Sequence, residues 1–206
     1  RIVGAGNARA SVIAPLDHDD VWDRDYLERH FRLWSTVEPQ GVYLSYGPSL
    51  YWFYENTDGA KDYIQPMPSE YPAIYKAGEL LDAFMSNDYA ATPLPSCTFY
   101  RKEIFQGLTR FEEAARSGLG FEDQYLSWYA ASRWPVSVHC EPWVRYRQHS
   151  GSYLAASSQG IRAREEEFTF LSTMNTYLIE EHPDHPILTT GKLNRRMEEL
   201  KKGLGV

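Results

Sequence analysis

The sequence has few cysteines, no long apolar run and no excess of basic residues. Its two cysteines, Cys97 and Cys140, are too few for a disulfide framework and fit a reducing compartment. No apolar run reaches the roughly 18 residues that a membrane-spanning helix needs. The 21 Lys and Arg residues against 28 Asp and Glu residues give a net charge of −7, the opposite of a nucleic-acid-binding surface. We therefore expect a cytoplasmic protein with no nucleic-acid partner.

The composition is that of a folded globular protein. Hydrophobic residues make up 43% of the 206 positions and aromatic residues 15%, enough to build a core. Strand-like and helix-like patterns alternate along the chain, which predicts an α/β fold with a mostly parallel sheet flanked by helices. Strands are predicted at 12–16, 42–54, 96–100, 136–140 and 143–146, and helices at 22–34, 78–85, 121–131, 161–181 and 192–202.

A cluster of acids follows the first predicted strand. The apolar residues 12–16 run directly into Asp17, His18, Asp19 and Asp20. Closely spaced carboxylates on a turn can bind a hard divalent cation such as Mg²⁺ or Mn²⁺, which would neutralise phosphate oxygens. The alternative is that Asp19 or Asp20 caps the next helix while the other acids are solvated.

Two further segments carry groups suited to catalysis. Glu122 and Asp123 open a predicted helix, where acids are ordinary partners of the helix dipole. The glycine-containing segment 117–121 before them could nevertheless place a carboxylate at the floor of a cleft, where it would accept a proton from a hydroxyl. Arg147 and His149 follow a predicted strand and offer a guanidinium and an imidazole, although a single histidine is as often a packed residue as a ligand.

Together these segments resemble the family-two glycosyltransferases of the glycosyltransferase-A fold. The resemblance covers residues 8–153 and rests on the order and spacing of VIAPLDHDDVW at 12–22, ED at 122–123 and YRQH at 146–149. It implies that Asp17, Asp19 and His149 hold a Mn²⁺ or Mg²⁺ ion on the diphosphate of a nucleotide sugar. Arg147 would belong to the same cofactor-binding site. It implies that Asp123 is the catalytic base.

The activity that the resemblance implies is an inverting transfer of a sugar from a nucleotide-diphosphate donor to an acceptor hydroxyl. The acceptor would be a glycan, a lipid-linked molecule or a protein, and the process would be the synthesis of a cell-surface polysaccharide or another glycan. Such an enzyme would act in the cytoplasm, either free or peripherally attached to the inner face of the membrane. Residues 45–95, the least family-like stretch, would select the acceptor.

One part of the family pattern is missing from this sequence. Members begin with an apolar strand, a Pro-Thr-Tyr-Asn-like stretch, a helix and a second strand that bind the nucleotide, whereas residues 1–10 look like the end of the helix just before the metal motif. We therefore expect residues 1–154 to be the C-terminal two-thirds of an N-terminally truncated catalytic domain. Residues 155–206 would form a helical tail, and the fragment alone would be inactive.

Two other functions remain open. In a haloacid-dehalogenase-type phosphohydrolase, Asp17 would be the nucleophile and Asp19 the acid and base, but the downstream Ser or Thr, Lys and paired Asp of that family are not evident. In a non-catalytic glycan-binding module the acids would only cap helices. The aromatic side chains at 51–54 (Tyr51, Trp52, Phe53 and Tyr54) would then hold the glycan.

Overall fold

The computed structural model describes residues 2–54, 59–68, 71–85, 91–111, 121–149 and 160–205. Short strands and helices of very different length alternate in these ranges. The strands are β1 (Val12–Ile13), β2 (Val21–Trp22), β3 (Leu44–Tyr46), β4 (Ser49–Trp52), β5 (Tyr63–Ile64), β6 (Ala73–Tyr75), β7 (Thr98–Arg101), β8 (Val136–Val138) and β9 (Val144–Arg147). The helices are α1 (Ile2–Asn7), α2 (Tyr26–Val37), α3 (Leu81–Phe84), α4 (Glu103–Gly107), α5 (Glu122–Arg133), α6 (Ile161–Glu181), α7 (Pro186–Thr189) and α8 (Lys192–Leu204), and 3₁₀ turns occupy Glu38–Gln40, Pro95–Cys97 and Leu108–Phe111.

The strands form two mixed sheets, in the orders β1-β7-β3-β8-β6 and β2-β9-β4-β5. The predicted α/β class is confirmed, but the predicted mostly parallel sheet is wrong. Only β3 with β8 and β4 with β9 pair in parallel among the described strands, and the other neighbours are antiparallel. We expected parallel pairing because a helix between two strands lets the second strand run in the same direction as the first. The strands β5 and β6 instead come from an irregular segment, which can pair with its neighbours in either direction.

The first strand is shorter than predicted. β1 ends at Ile13 rather than at residue 16. Pro15 has no backbone N–H for a ladder, and the backbone N–H of Asp17 donates to Ser96 Oγ at 3.0 Å instead. The acidic turn is therefore held by side-chain contacts and not by an extension of the sheet.

The helix that follows starts later than predicted. Trp22 has the right spacing from Tyr26 to begin a helix, but Val21–Trp22 forms β2 and pairs with β9. Helix α2 begins at Tyr26, and its N-cap position is Asp25, which makes no side-chain cap hydrogen bond. Cross-strand pairing therefore overrides helical periodicity at this point.

The C-terminal helices pack on the body of the chain. Phe170 of α6 lies within 5.3 Å of the Trp128 ring and 4.9 Å of the Tyr125 ring, both in α5, measured between ring centroids. Arg196 of α8 forms two hydrogen bonds of 2.7 and 3.0 Å with Glu167 of α6. One cluster of buried hydrophobic side chains contains members from the sheet, from α5 and from the helical tail. The tail thus supports the helix whose first turn carries Asp123.

Within the described ranges, every helix is either too short or too polar to cross a membrane.

Candidate functional site

Ser96 fixes the acidic turn, residues 17–20, which lies between β1 and β2. The Asp20 N–H donates to the Asp17 carbonyl at 3.1 Å and closes the turn. Ser96 lies in the buried 3₁₀ turn Pro95–Cys97, where its hydroxyl accepts from the Asp17 N–H and its carbonyl accepts from Trp22 Nε1 at 2.7 Å. These contacts hold both ends of the turn against the same short segment.

Asp19 and His149 lie in contact at this turn. Asp19 Oδ2 is 3.2 Å from His149 Nε2, although the two residues are 130 positions apart in the sequence. Both side chains are partly buried. Burial opposes ionisation, but the hydrogen bond from His149 and the nearby His18 charge lower the pKa of Asp19 overall. Asp19 is therefore ionised at neutral pH and held next to an imidazole.

Asp20 connects the acidic turn to β9. Its side chain is only 8% exposed, and its Oδ1 accepts from the Arg147 N–H at 3.2 Å. Oδ2 has no hydrogen-bond partner within the described part of the chain. Burial raises the pKa of Asp20 to about 6, against the hydrogen bonds from Ser96 and Arg147. Asp20 was considered a helix cap from the sequence, but it fixes the strand that leads to His149.

Asp123 lies in the first turn of α5. Its Oδ1 accepts from the Gln124 N–H at 2.8 Å. Burial raises the pKa of Tyr146 to about 12, and the negative charges of Asp20, Asp123 and Asp19 add to that shift. The carboxylates predicted to be metal ligand and base are therefore both within electrostatic reach of one phenol.

Arg147 lies on the opposite face of the sheet from Tyr146, since successive residues of a strand alternate. Its guanidinium carbon is 5.6 Å from the centroid of the Trp52 ring and 5.5 Å from that of Tyr54. The guanidinium makes no ion pair with any of the described residues. It interacts there with the faces of two aromatic rings through cation–π contacts. The contact with a diphosphate expected for Arg147 stays a prediction.

Three tyrosines cross the second sheet in register, and we call them the tyrosine row. Tyr51 of β4 pairs with Tyr63 of β5 on one side and with Tyr146 of β9 on the other. The Tyr51 and Tyr63 rings stack with centroids 4.6 Å apart, and the Tyr51 and Tyr146 rings meet edge to face at 4.9 Å. The aromatic run at 51–54 was visible in the sequence, but Tyr63 lies in a segment of turn residues and gave no strand signal.

A buried histidine pair, which the sequence did not reveal as a unit, lies where α2 packs against the five-stranded sheet. His30 of α2 is within 3.1 Å of the Tyr26 hydroxyl and 3.0 Å of Ser45 Oγ. His139 follows β8, stacks on Trp143 with centroids 4.4 Å apart, and lies 5.0 Å from the His30 ring. Burial lowers the pKa of His139 to about 4 and that of His30 well below its usual range, so both rings are neutral core residues.

The donor atoms at the acidic turn suit a divalent ion only in part. The described residues contain no group of three or more His, Cys, Asp or Glu side chains arranged to hold a metal. Asp19 offers carboxylate oxygens, and His149 offers Nε2 once the proton shared with Asp19 is lost, a donor set that fits Mn²⁺ better than Mg²⁺. Ions that bind nucleotides often take only one or two protein ligands and fill their other positions with phosphate oxygens and water. The pair is therefore compatible with a metal held jointly by protein and donor.

No protein-family model matches this chain, and no curated protein sequence matches it either. Function must therefore be inferred from the residues and their geometry.

Proposed function

We propose that this chain carries the catalytic residues of a metal-dependent glycosyltransferase, which moves a sugar from a nucleotide-diphosphate donor to an acceptor hydroxyl with inversion. One observation carries the proposal. Asp19 and His149, which are 130 positions apart in the sequence, are in contact at 3.2 Å. This contact joins the acidic turn to the segment that follows β9, and Asp123 is the carboxylate that the resemblance adds to the pair.

Asp19 and His149 would hold Mn²⁺ or Mg²⁺, with Asp17 in the same turn. When bound, such an ion supplies positive charge that stabilises a departing diphosphate. The hydrogen bond between His149 and Asp19 brings the two side chains together, and an ion would replace its proton; Ser96 fixes the backbone at Asp17. Asp20 adds a second restraint through the Arg147 amide, which lies two residues before His149.

Asp123 would accept the proton of the acceptor hydroxyl as that oxygen attacks the anomeric carbon. Its place in the first turn of α5 favours the ionised carboxylate, because the helix dipole is positive there. Tyr146 is not a competing base, since its pKa of about 12 keeps the phenol protonated at neutral pH. A single displacement by this route inverts the configuration of the sugar.

One assay on the complete gene product separates this proposal from its two rivals. The protein is incubated with Mn²⁺ and a panel of nucleotide sugars, and separately with an aryl phosphate. A glycosyltransferase slowly hydrolyses its own sugar nucleotide and leaves the aryl ester intact. A phosphohydrolase that uses Asp17 as nucleophile would release phosphate from the aryl ester, and a glycan-binding module would do neither.

A further inference from the structure

The end of β9 has a strand on only one of its two sides. On the first side, the Gln148 N–H donates to the Trp52 carbonyl of β4 at 2.8 Å. On the second side, β2 begins at Val21, opposite Arg145, and does not reach Arg147. Because successive N–H groups of a strand point to alternate sides, the Arg147 N–H points to the side where β2 is absent.

The side chain of Asp20 takes the place of the absent strand. Its Oδ1 accepts from the Arg147 N–H at 3.2 Å, directly before β2 begins. Asp20 is 8% exposed, and its Oδ2 has no hydrogen-bond partner among the residues that the structure describes. Since the donor is an uncharged backbone amide, this contact uses one acceptor oxygen of Asp20 and does not need its charge.

Two hydrogen bonds join the acidic turn to the segment that follows β9. Asp19 Oδ2 is 3.2 Å from His149 Nε2, and the adjacent Asp20 holds the backbone of Arg147, two positions before that histidine. The two hydrogen bonds and the short peptide segments between them form a closed ring. Removal of the Asp20 acceptor would leave the Arg147 N–H without this partner and release the chain that carries the imidazole.

We propose that Asp20 is a positioning residue, which holds the His149 imidazole against Asp19 by accepting a hydrogen bond from the Arg147 amide. Its importance for a metal rests on the proposed function. Partners that orient metal ligands typically change metal affinity by about 10- to 100-fold. Asn has the same acceptor oxygen without the charge, so it should replace Asp20, whereas Ala should not. A metal ligand or an acid–base group would not tolerate Asn.

The first test follows the imidazole in the metal-free protein. The complete gene product in EDTA is treated with diethyl pyrocarbonate, and the carbethoxylation rate of each histidine is measured by peptide mass spectrometry. We expect His149 to react about fivefold faster in Asp20→Ala than in wild type, because its ring is released from Asp19. In Asp20→Asn it should react at the wild-type rate. The buried His30 and His139 should stay unreactive in all three proteins.

Asp62→Ala is the matched control for this labelling. Asp62 precedes β5, and its Oδ1 accepts from the Phe53 N–H at 2.9 Å, directly after β4, so it makes the same kind of contact at another strand end. Its removal should leave the labelling of His149 unchanged. The positioning role would be overturned by equal labelling of His149 in Asp20→Ala and wild type, or by faster labelling of His30 together with His149, which indicates a general loosening of the fold.

The second test measures the metal. Mn²⁺ alone is titrated into the same proteins, and the free ion is followed by electron paramagnetic resonance. We expect Asp20→Ala to weaken Mn²⁺ binding about tenfold and Asp20→Asn by less than about threefold. In a His149→Ala background, Asp20→Ala should have little further effect, because both residues act through one imidazole.

Additive effects of Asp20→Ala and His149→Ala would contradict the positioning role. An equal loss of Mn²⁺ binding in Asp20→Asn and Asp20→Ala would also contradict it, since the charge and not the acceptor oxygen would then matter. Absence of Mn²⁺ binding by wild type would instead refute the proposed metal centre. The labelling of His149 decides the positioning role in that case as well, because it is measured without metal and without turnover.

Discussion

Asp123 is the residue on which proton transfer would depend. Replacing it by Asn keeps the shape and the helix position but removes the ability to accept a proton. We expect kcat of the complete enzyme to fall by about 10²-fold or more, with little change in donor affinity. Glu122→Gln is the matched control, because it removes a neighbouring charge from the same turn. Loss of donor affinity with kcat preserved would show that Asp123 binds or supports the fold and is not the base.

His139 should make the fold sensitive to acid. Its pKa is about 4 in the folded protein and 6.5 when unperturbed, so the unfolded chain takes up the proton first. The stability that the neutral ring contributes is complete above pH 6.5 and is lost as the pH falls toward 4, by at most about 3 kcal/mol. Asp20 has the opposite effect on stability. Burial raises the pKa of its carboxyl to about 6, so protonation of this group as the pH falls favours the folded protein.

The contribution of His139 can be isolated by comparing wild type with His139→Gln. Urea unfolding is followed from pH 8 to pH 4, and the effect of Asp20 is common to both proteins. We expect the free energy of unfolding of wild type to fall more steeply with acid than that of the variant, with His30 retained in both. Parallel curves would mean that His139 is not the acid-sensitive group.

At the scale of elements, α6 should be part of the cooperative fold. Phe170 is fully buried and its ring contacts those of Phe121, Tyr125 and Trp128. Phe170→Ala should lower the free energy of unfolding by about 3–5 kcal/mol, as other buried Phe truncations do. Ile179→Ala, on the same helix but with its side chain 54% exposed, should have little effect. Similar urea midpoints for both variants would show that α6 does not contribute to the core.

Long periodic elements could be predicted from the sequence, and short strands could not. The start of α5 and all of α6 lie at or next to the predicted residues, because many apolar positions repeat with helical spacing there. Trp22 has the same spacing yet belongs to a strand. Its pairing with Val144 and its hydrogen bond to Ser96 come from residues more than 70 positions away, which local periodicity cannot show.

The roles of the candidate site residues stay predictions, but their positions can be compared with the sequence. Asp19 and His149 both stood out in the sequence, and they lie in contact although they are 130 positions apart. Tyr63 pairs with Tyr51, but only the register of β4 with β5 decides that pairing. His30 meets His139 only because α2 packs beside the segment that follows β8. Neither could be assigned before the strands were paired.

At the scale of the whole molecule, β1 lies at the edge of the five-stranded sheet, with β7 as its single neighbour among the described strands. Asp17, Asp19, Arg147 and His149 are proposed to contact only the diphosphate of the donor, and no residue is assigned to its base or ribose. We therefore predict that residues 1–206 alone bind nucleotide sugars weakly or undetectably in calorimetry with Mn²⁺, because acids without nucleotide contacts cannot position a donor. Such positioning accounts for about 7–11 kcal/mol of a barrier. Micromolar binding would show that the nucleotide site lies within these residues.

The most direct test of a metal centre at Asp19 and His149 is Mn²⁺-dependent sugar transfer by the complete gene product. Wild type is compared with Asp19→Asn and with Asp23→Asn, a nearby acid that faces Arg145 at 3.9 Å outside the centre. We predict that Asp19→Asn loses Mn²⁺-dependent transfer by at least about 10²-fold, since the ion loses its carboxylate ligand and the diphosphate its neutralising charge. Asp23→Asn should retain activity, and both variants should keep the circular dichroism spectrum of wild type. Wild-type turnover by Asp19→Asn would contradict the account.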